Sequence, residues 1–274
     1  MQQLYVVFFG LATAGYLAAT LCYMWHLTTR SHRIGRWAPW ILLAAAVVYG
    51  AAFGLRWLEA GHPPLVNLFD SLTFYSWLTV VVYLVIERLY GYKVIGAFVT
   101  PLAFVAIASA TMLPKETQPL IPVLRSAWLP IHVGISFLAY TVFTIAFAMA
   151  IVYLLQEREL KAKKPHAIFY RLPPLETMER IGYSVVGVGF PFMTLAIATG
   201  AVWAEQAWGS YWSWDPKQTM SLVTWLIFAA YFHFRNVVGW RGKRAAWLVV
   251  AGFAAVVFTF LGVNLLSPGR HNFI

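Results

Sequence analysis

The chain has 274 residues, of which 61% are hydrophobic and only 11% are charged. Soluble domains carry about 25% charged residues, so this composition excludes an ordinary water-soluble fold and indicates an integral membrane protein. The net charge of +10 does not call for nucleic acid, because basic loops beside an anionic inner leaflet account for it. The single cysteine, Cys22, excludes an internal disulfide and a CxxC site.

Long apolar runs, separated by charged or Pro/Gly-rich breaks, predict about eight membrane-spanning helices. The runs are continuous, whereas a membrane β-barrel would show short alternating segments. We therefore predict an all-α polytopic membrane helical bundle, with the whole chain, 1–274, as one transmembrane domain. In chain order, the predicted spans are residues 4–27, 37–57, 71–86, 94–113, 129–155, 181–204, 216–238 and 245–266.

The basic residues are divided unequally between the two sides of these spans. If the N-terminus lies outside, only five of the 20 Lys and Arg residues face outward, namely Arg56, Lys115, Arg125, Lys217 and Arg270. The positive-inside rule therefore predicts that both termini lie outside. The longest inner loop, 156–180, is then cytoplasmic and basic, as expected for a loop that sets the topology.

The predicted outer loop between the sixth and seventh spans reads WAEQAWGSYWSWDPKQ, and we name residues 203–218 the tryptophan segment. An interfacial aromatic belt needs only one or two aromatic residues at a helix end, and this segment has more. A flat aromatic surface suits a large planar apolar ligand. At its end, Asp215, Pro216 and Gln218 predict an N-cap, a proline at N1 and a capping-box residue at N3.

Within this segment, WGSYWSWDPK resembles the WWD signature of proteins that handle haem in cytochrome c biogenesis. Among them, the chain is similar to the CcsA/ResC family, the eight-span subunit of the System II cytochrome c synthase. Gln218 stands where the family pattern has Glu, and Arg125 where it has Gln. The likeness extends to GHPPLVNLFDSL (61–72), RSAWLPIHVGISFLAY (125–140), YFHFR (231–235), GWRGKRAAWLVVAGFAAVVFTFLGVNLL (239–266) and SPGRHNF (267–273).

The resemblance implies haem b, held at the outer face on the tryptophan segment. It implies that His132 and His271 are the axial ligands of the iron. The members of the segment assigned to the haem are Trp203, Trp208, Gly209, Tyr211, Trp212, Trp214 and Asp215. Outer cations, namely Arg56, Arg125, Lys217 and Arg270, could pair with the haem propionates.

An ionisable residue inside a span is a candidate functional residue, and His233 lies roughly 26 Å along its helix from Pro216. The resemblance implies that His233 ligates a second haem on its way outward. A CcsB/ResB-type partner subunit would supply the opposite ligand, and His26 of this chain is the alternative. An interfacial histidine beside Arg235 is the other interpretation of His233, and His62 is expected to be structural, in a proline turn.

The implied function is that of a cytochrome c synthase subunit with haem lyase activity, active in complex with the CcsB-type partner. It would present haem so that the thiols of a CxxCH apocytochrome c add to the vinyl groups. No catalytic side chain is predicted, because the sulfurs belong to the substrate and the chain contributes positioning. Besides haem and apocytochrome, the expected partners are membrane lipids and no nucleic acid. The expected location is the bacterial cytoplasmic membrane, or the thylakoid membrane for a plastid-encoded chain.

Two other functions are compatible with parts of the sequence. A CcmC-like haem-delivery protein also has a tryptophan segment and two outer histidines, but it hands haem to a chaperone and has six spans. A haem-free small-molecule transporter would explain the spans and give the outer histidines no role.

The charge distribution makes a topology prediction. Alkaline phosphatase fused to the C-terminus should be active, because the positive-inside rule places that end outside. The same enzyme inserted in the 156–180 loop should be inactive. A C-terminal fusion that works only as a cytoplasmic reporter would overturn the topology.

Overall fold

The computed structural model describes residues 2–29, 31–116, 124–162 and 169–266. Every regular element within these ranges is a helix, which confirms the all-α prediction. The predicted spans recur in order as α1 (Gln2–Thr29), α2 (His32–Ala60), α3 (Leu68–Tyr90), α4 (Gly96–Ala110), α5 (Trp128–Lys161), α6 (Leu175–Trp208), α7 (Pro216–Asn236) and α8 (Lys243–Val257). Helix α8 continues through a π-helical turn, Phe258–Gly262, into the short α9, Val263–Leu266.

Seven helical segments of the described chain are long and apolar enough to cross a membrane, which fits a polytopic membrane protein. They are Gln3–Thr29, His32–Ala60, Leu68–Tyr90, Lys93–Ala110, Trp128–Lys161, Leu175–Trp208 and Lys243–Gly262. Helix α7 is the predicted span that is not among them. Its 21 residues include Lys217, His233 and Arg235, so it is more polar than the other helices.

The chain divides into two compact units. The first comprises Met1–Leu120 with Glu159–Pro173, and the second comprises Ile121–Arg158 with Pro174–Ile274. Helices α1 to α4 form the first unit, in which small residues allow close helix approach. An added Cβ on Gly15 of α1 would lie 2.6 Å from the Cβ of Ala45 on α2, so these two backbones are nearly in contact.

A buried ion pair joins three parts of the first unit. The Nε of Arg56, in the last two turns of α2, donates to Oδ1 of Asp70 on α3 at 2.6 Å. Both side chains are only 5% exposed. The same guanidinium donates through Nη1 to the carbonyl oxygen of Lys115, beyond α4. Asn67 caps α3 by accepting a hydrogen bond from the backbone N–H of Asp70.

Four helices of the second unit meet in one layer of rings and glycines. Phe143 of α5 stacks on Phe228 of α7 with ring centroids 3.7 Å apart and planes inclined by 7°. An added Cβ on Gly189 of α6 would lie 2.7 Å from the Phe143 ring. An added Cβ on Gly252 of α8 would lie 2.6 Å from the Phe228 ring. Both phenylalanines are fully buried, so the layer has no room for an extra methyl group.

This layer predicts that alanine substitution of two glycines on α6 has different effects on the stability of the protein. Replacing Gly189 with Ala should reduce the free energy of unfolding by about 2 kcal/mol, because the methyl group overpacks the Phe143 ring. Gly187 has open space where its Cβ would lie, so Gly187→Ala is the matched control. Thermal unfolding in detergent measures the stability of both variants. Equal melting temperatures for the two variants would contradict this packing.

Candidate functional site

His132 lies in the second turn of α5 and is held by α6. Its Nδ1 is 2.8 Å from the carbonyl oxygen of Ala196. Since a carbonyl oxygen only accepts, Nδ1 carries a hydrogen, and in the neutral form of the ring the lone pair is then on Nε2. That is the tautomer in which a histidine can coordinate iron through Nε2. The side chain is half-buried, and its ring lies over Gly200 of α6.

Trp203 lies inside the second unit rather than on its surface. It is 1% exposed, and its ring is parallel to that of His132, with centroids 6.2 Å apart and planes inclined by 11°. Trp203 also contacts Trp208, whose ring meets it edge-on with centroids 4.9 Å apart. The structure thus brings together three predicted site residues, His132, Trp203 and Trp208, as one continuous series of rings.

The rest of the tryptophan segment is an irregular connection between α6 and α7. Gly209 ends α6 in the left-handed conformation, with φ of 71°, and its N–H donates to the carbonyl oxygen of Glu205. Beyond it, Tyr211 is 60% exposed and Trp214 is 68% exposed. Trp212 is half-buried and meets Trp214 edge-on, with centroids 5.7 Å apart. This part therefore presents aromatic surface outward.

Trp214 has a φ of 55°, the one positive value among the described non-glycine residues. The left-handed region costs a bulky residue about 1–2 kcal/mol, and such strain concentrates at ligand sites. A hydrogen bond from the first turn of α7 stabilises this conformation of Trp214. The hydroxyl of Thr219 donates to the Trp214 carbonyl oxygen at 3.2 Å. The exposed indole thus stands on a backbone that the fold keeps in an unfavourable conformation.

The predicted helix cap at Asp215 is confirmed. Its Oδ1 accepts a hydrogen bond from the backbone N–H of Lys217 at 2.9 Å, and Pro216 occupies N1. The predicted role of Gln218 as a reciprocal capping-box residue needs correction. Its Oε1 accepts from the backbone N–H of Ser213, two residues before the cap, at 2.9 Å. The side chain reaches farther back because the turn at Trp214 folds Ser213 over the helix start.

His233 lies near the other end of α7, away from the tryptophan segment. It is exposed, and its ring meets that of Phe234 edge-on. Arg235 points elsewhere, because its guanidinium pairs with Glu179 at 2.9 Å and lies over the Tyr183 ring at 4.6 Å. His233 and Arg235 therefore occupy different faces of the helix, and Arg235 is engaged within the second unit.

Other histidines and one cation have local structural partners. The Nδ1 of His26 contacts the carbonyl oxygen of Ser31 at 3.2 Å, in the turn between α1 and α2. The Nδ1 of His62 contacts the carbonyl oxygen of Pro63, consistent with a proline turn. Arg56, a predicted partner for propionates, is buried in its ion pair with Asp70. His271 and Arg270 lie outside the described residues.

Sequence reasoning missed Ala196 and Gly200, which contact His132. Their signal is present but weak, since a glycine inside a long apolar helix has many possible packing partners. The described residues contain no group of three His, Cys, Asp or Glu side chains that could hold a bare metal ion.

Comparison with protein families gives one match over most of the chain. A family model described as "Cytochrome C assembly protein" matches residues 65–271. The match includes the tryptophan segment, His132 and His233, whereas α1 and α2 precede it.

Curated proteins named "Cytochrome c biogenesis protein CcsA" are similar to this chain. That of Microcystis aeruginosa is 39% identical over 277 aligned residues, covering 84% of each chain. That of Guillardia theta is 38% identical over 252 residues, covering 84% of this chain and 83% of the relative. That of Chlamydomonas reinhardtii is 40% identical over 227 residues, covering 80% of this chain and 63% of the relative.

A solved structure named "Cytochrome c Heme Lyase CcmF" resembles this fold with a TM-score of 0.72. The sequences are 19% identical, so this likeness concerns the fold alone. The superposition covers 94% of this chain and 46% of the CcmF chain. The chain therefore spans less than half of that larger protein.

The helix cap makes a prediction about the tryptophan segment. Asp215→Ala removes the acceptor for the Lys217 N–H and should reduce the free energy of unfolding by about 1 kcal/mol. Asp215→Asn keeps a capping oxygen and should retain most of the stability. Melting temperatures in detergent compare the two variants. Equal losses in both would show that the carboxylate charge, not the cap, is what matters.

Proposed function

Because the chain belongs to the cytochrome c assembly protein family, and within it to the CcsA proteins, we propose that it is the haem-handling subunit of a cytochrome c synthase. It holds haem at the outer face of the membrane and presents it to an apocytochrome c. The thiols of a CxxCH segment add across the two vinyl groups, each S–H giving its hydrogen to one vinyl carbon and its sulfur to the other. The product carries two thioether bonds, and the addition needs no oxidant.

The single observation that supports this proposal most is the setting of His132. Its Nδ1–H is bound to a backbone carbonyl, so Nε2 is the coordinating nitrogen, as in most histidines that ligate metals. It stands beside Trp203, at the end of α6 from which the tryptophan segment continues. A donor nitrogen at the start of the tryptophan segment, with exposed indole and phenol rings farther along it, matches the two needs of haem, an axial ligand and an apolar flat surface.

Different members of the tryptophan segment have different roles in this proposal. Tyr211, Trp212 and Trp214 carry the aromatic surface on which the haem lies. Gly209 and Asp215 end α6 and begin α7, and they set the path of that surface. His271 is proposed as the second axial ligand. Since the chain provides positioning alone, the gain comes from orienting the vinyl groups toward the arriving thiols.

A second haem position at His233 is proposed for the inward part of α7. The exposed Leu226 lies on the same face of the helix as His233, because it precedes it by seven residues, and the exposed Val223 lies at the side of that face. An imidazole on an apolar exposed face is costly in lipid, so this face suits contact with another membrane protein. We propose that a CcsB-type subunit covers it and supplies the opposite ligand.

The proposed location is a membrane whose outer side receives apocytochrome c. The similar CcsA proteins come from cyanobacteria and algae. We therefore propose the bacterial cytoplasmic membrane, or the thylakoid membrane if the chain is encoded in a plastid.

The test is the haem content of histidine variants, purified with and without the partner subunit. We expect the wild-type complex to carry non-covalent haem b with a six-coordinate spectrum. His132→Ala should lose the outer haem and thioether formation while it keeps the inner haem. His233→Ala should reduce both haems, because the two positions lie in series. His32, exposed at the start of α2, provides the matched control His32→Ala.

Two results would contradict the proposal. One is a wild-type protein without a Soret band even after haem is added. The other is a His132→Ala variant that retains both haem and cytochrome c assembly at the level of His32→Ala.

A further inference from the structure

We infer that Ala196, Gly200 and Trp203 of α6 form a cradle that positions the His132 imidazole for iron. The three residues are spaced at i, i+4 and i+7, so they share one face of α6. All three contact the same imidazole ring, which belongs to α5. This inference rests on the proposed function, since it assigns positioning residues to the proposed axial ligand.

The Ala196 carbonyl determines which nitrogen of His132 coordinates. Within a helix this oxygen already faces the backbone N–H four residues later. The single hydroxyl hydrogen of Thr199 lies closer to the Leu195 carbonyl oxygen, at 2.7 Å, than to that of Ala196, at 3.2 Å. A carbonyl oxygen has two lone pairs and can accept the additional Nδ1–H of His132 at 2.8 Å. The hydrogen bond fixes the tautomer and increases the electron-donating strength of Nε2.

Gly200 makes this hydrogen bond possible. An added Cβ on Gly200 would lie 2.6 Å from Cε1 and 2.8 Å from Nδ1 of His132, and the third nearest atom is Nε2 of the same ring. All three nearest atoms therefore belong to His132, so this glycine makes room for the imidazole in particular. Because Gly200 follows Ala196 by one helical turn, the missing side chain also uncovers the Ala196 carbonyl.

Trp203 sets the plane of the imidazole. Its ring is nearly parallel to His132, and it is almost fully buried, so it cannot lie flat on an exposed ligand. Its edge contact with Trp208 connects the cradle to the rest of the tryptophan segment. Trp203 is therefore a positioning residue that acts through His132, whereas the exposed Tyr211 and Trp214 provide contact surface.

The decisive variant is Gly200→Ala, which adds one methyl group against the imidazole. We expect at least a tenfold loss of affinity when haem is titrated into the haem-free complex, in the range typical of altered outer-shell partners of a metal ligand. The spectrum should lose its six-coordinate character, and added imidazole should restore it because the pocket itself remains. Gly187→Ala, on the same helix with open space at its Cβ, should bind haem like the wild type.

A second measurement needs no haem. In haem-free protein labelled with ¹⁵N-histidine, His132 should give the nitrogen shifts of the Nδ1–H tautomer. The His132→Ala variant assigns these signals. Gly200→Ala should move them toward the other tautomer or toward a mixture, while Gly187→Ala should leave them unchanged. A merely structural glycine would lower stability without changing the tautomer of this one histidine.

These readouts separate failure of the cradle from failure of the proposed function. If the wild-type complex binds no haem, the proposed function fails, and the ¹⁵N shifts alone decide the cradle. If Gly200→Ala keeps wild-type haem affinity and wild-type His132 shifts, the cradle is overturned. Should Gly200→Ala fail to accumulate, Trp203→Leu and Trp203→Phe replace it. Trp203→Leu should weaken haem binding and Trp203→Phe should retain most of it, and equal wild-type affinity in both would overturn the cradle.

Discussion

The stack of Phe143 on Phe228, with a glycine packed against each ring, is the contact on which the second unit depends. The two rings are 3.7 Å apart at their centroids, and Gly189 and Gly252 lie where any side chain would collide with them. In a lipid environment apolar side chains gain little from leaving the solvent, so close packing has to hold the helices together. A glycine gives a ring direct contact with the neighbouring backbone, and this layer does so for α5, α6, α7 and α8 at once.

The same packing device supports both the core and the candidate site. Gly200 receives the His132 imidazole as Gly189 receives the Phe143 ring, and both glycines belong to α6, separated by three helical turns. The fixed layer at Gly189 holds α5 against α6, and the alignment of these helices brings His132 to Ala196. An imidazole needs more than space, however, because its N–H must be satisfied when it is buried. The uncovered Ala196 carbonyl meets that need.

The tryptophan segment combines a fixed backbone with exposed rings. Gly209 and Asp215 define its two ends, and Gln218 and Thr219 hold it from the first turn of α7. The left-handed Trp214 would be unfavourable in a free loop, and these bonds stabilise it. A binding surface that is ordered before its ligand arrives loses less conformational entropy on binding. Such order in advance is what the haem surface proposed above would require of this segment.

The sequence by itself determined the helices, their order and the cap at Asp215. These features arise from neighbouring residues, since apolar runs, glycine ends and capping side chains act within a few positions. It also indicated the chemistry, because the tryptophan segment and the histidines carry the family likeness. Tertiary structure alone decided that Arg56 pairs with Asp70, that Trp203 is buried and that Gly200 faces His132. These contacts depend on the rotation and approach of helices distant in sequence, which one-dimensional periodicity leaves undetermined.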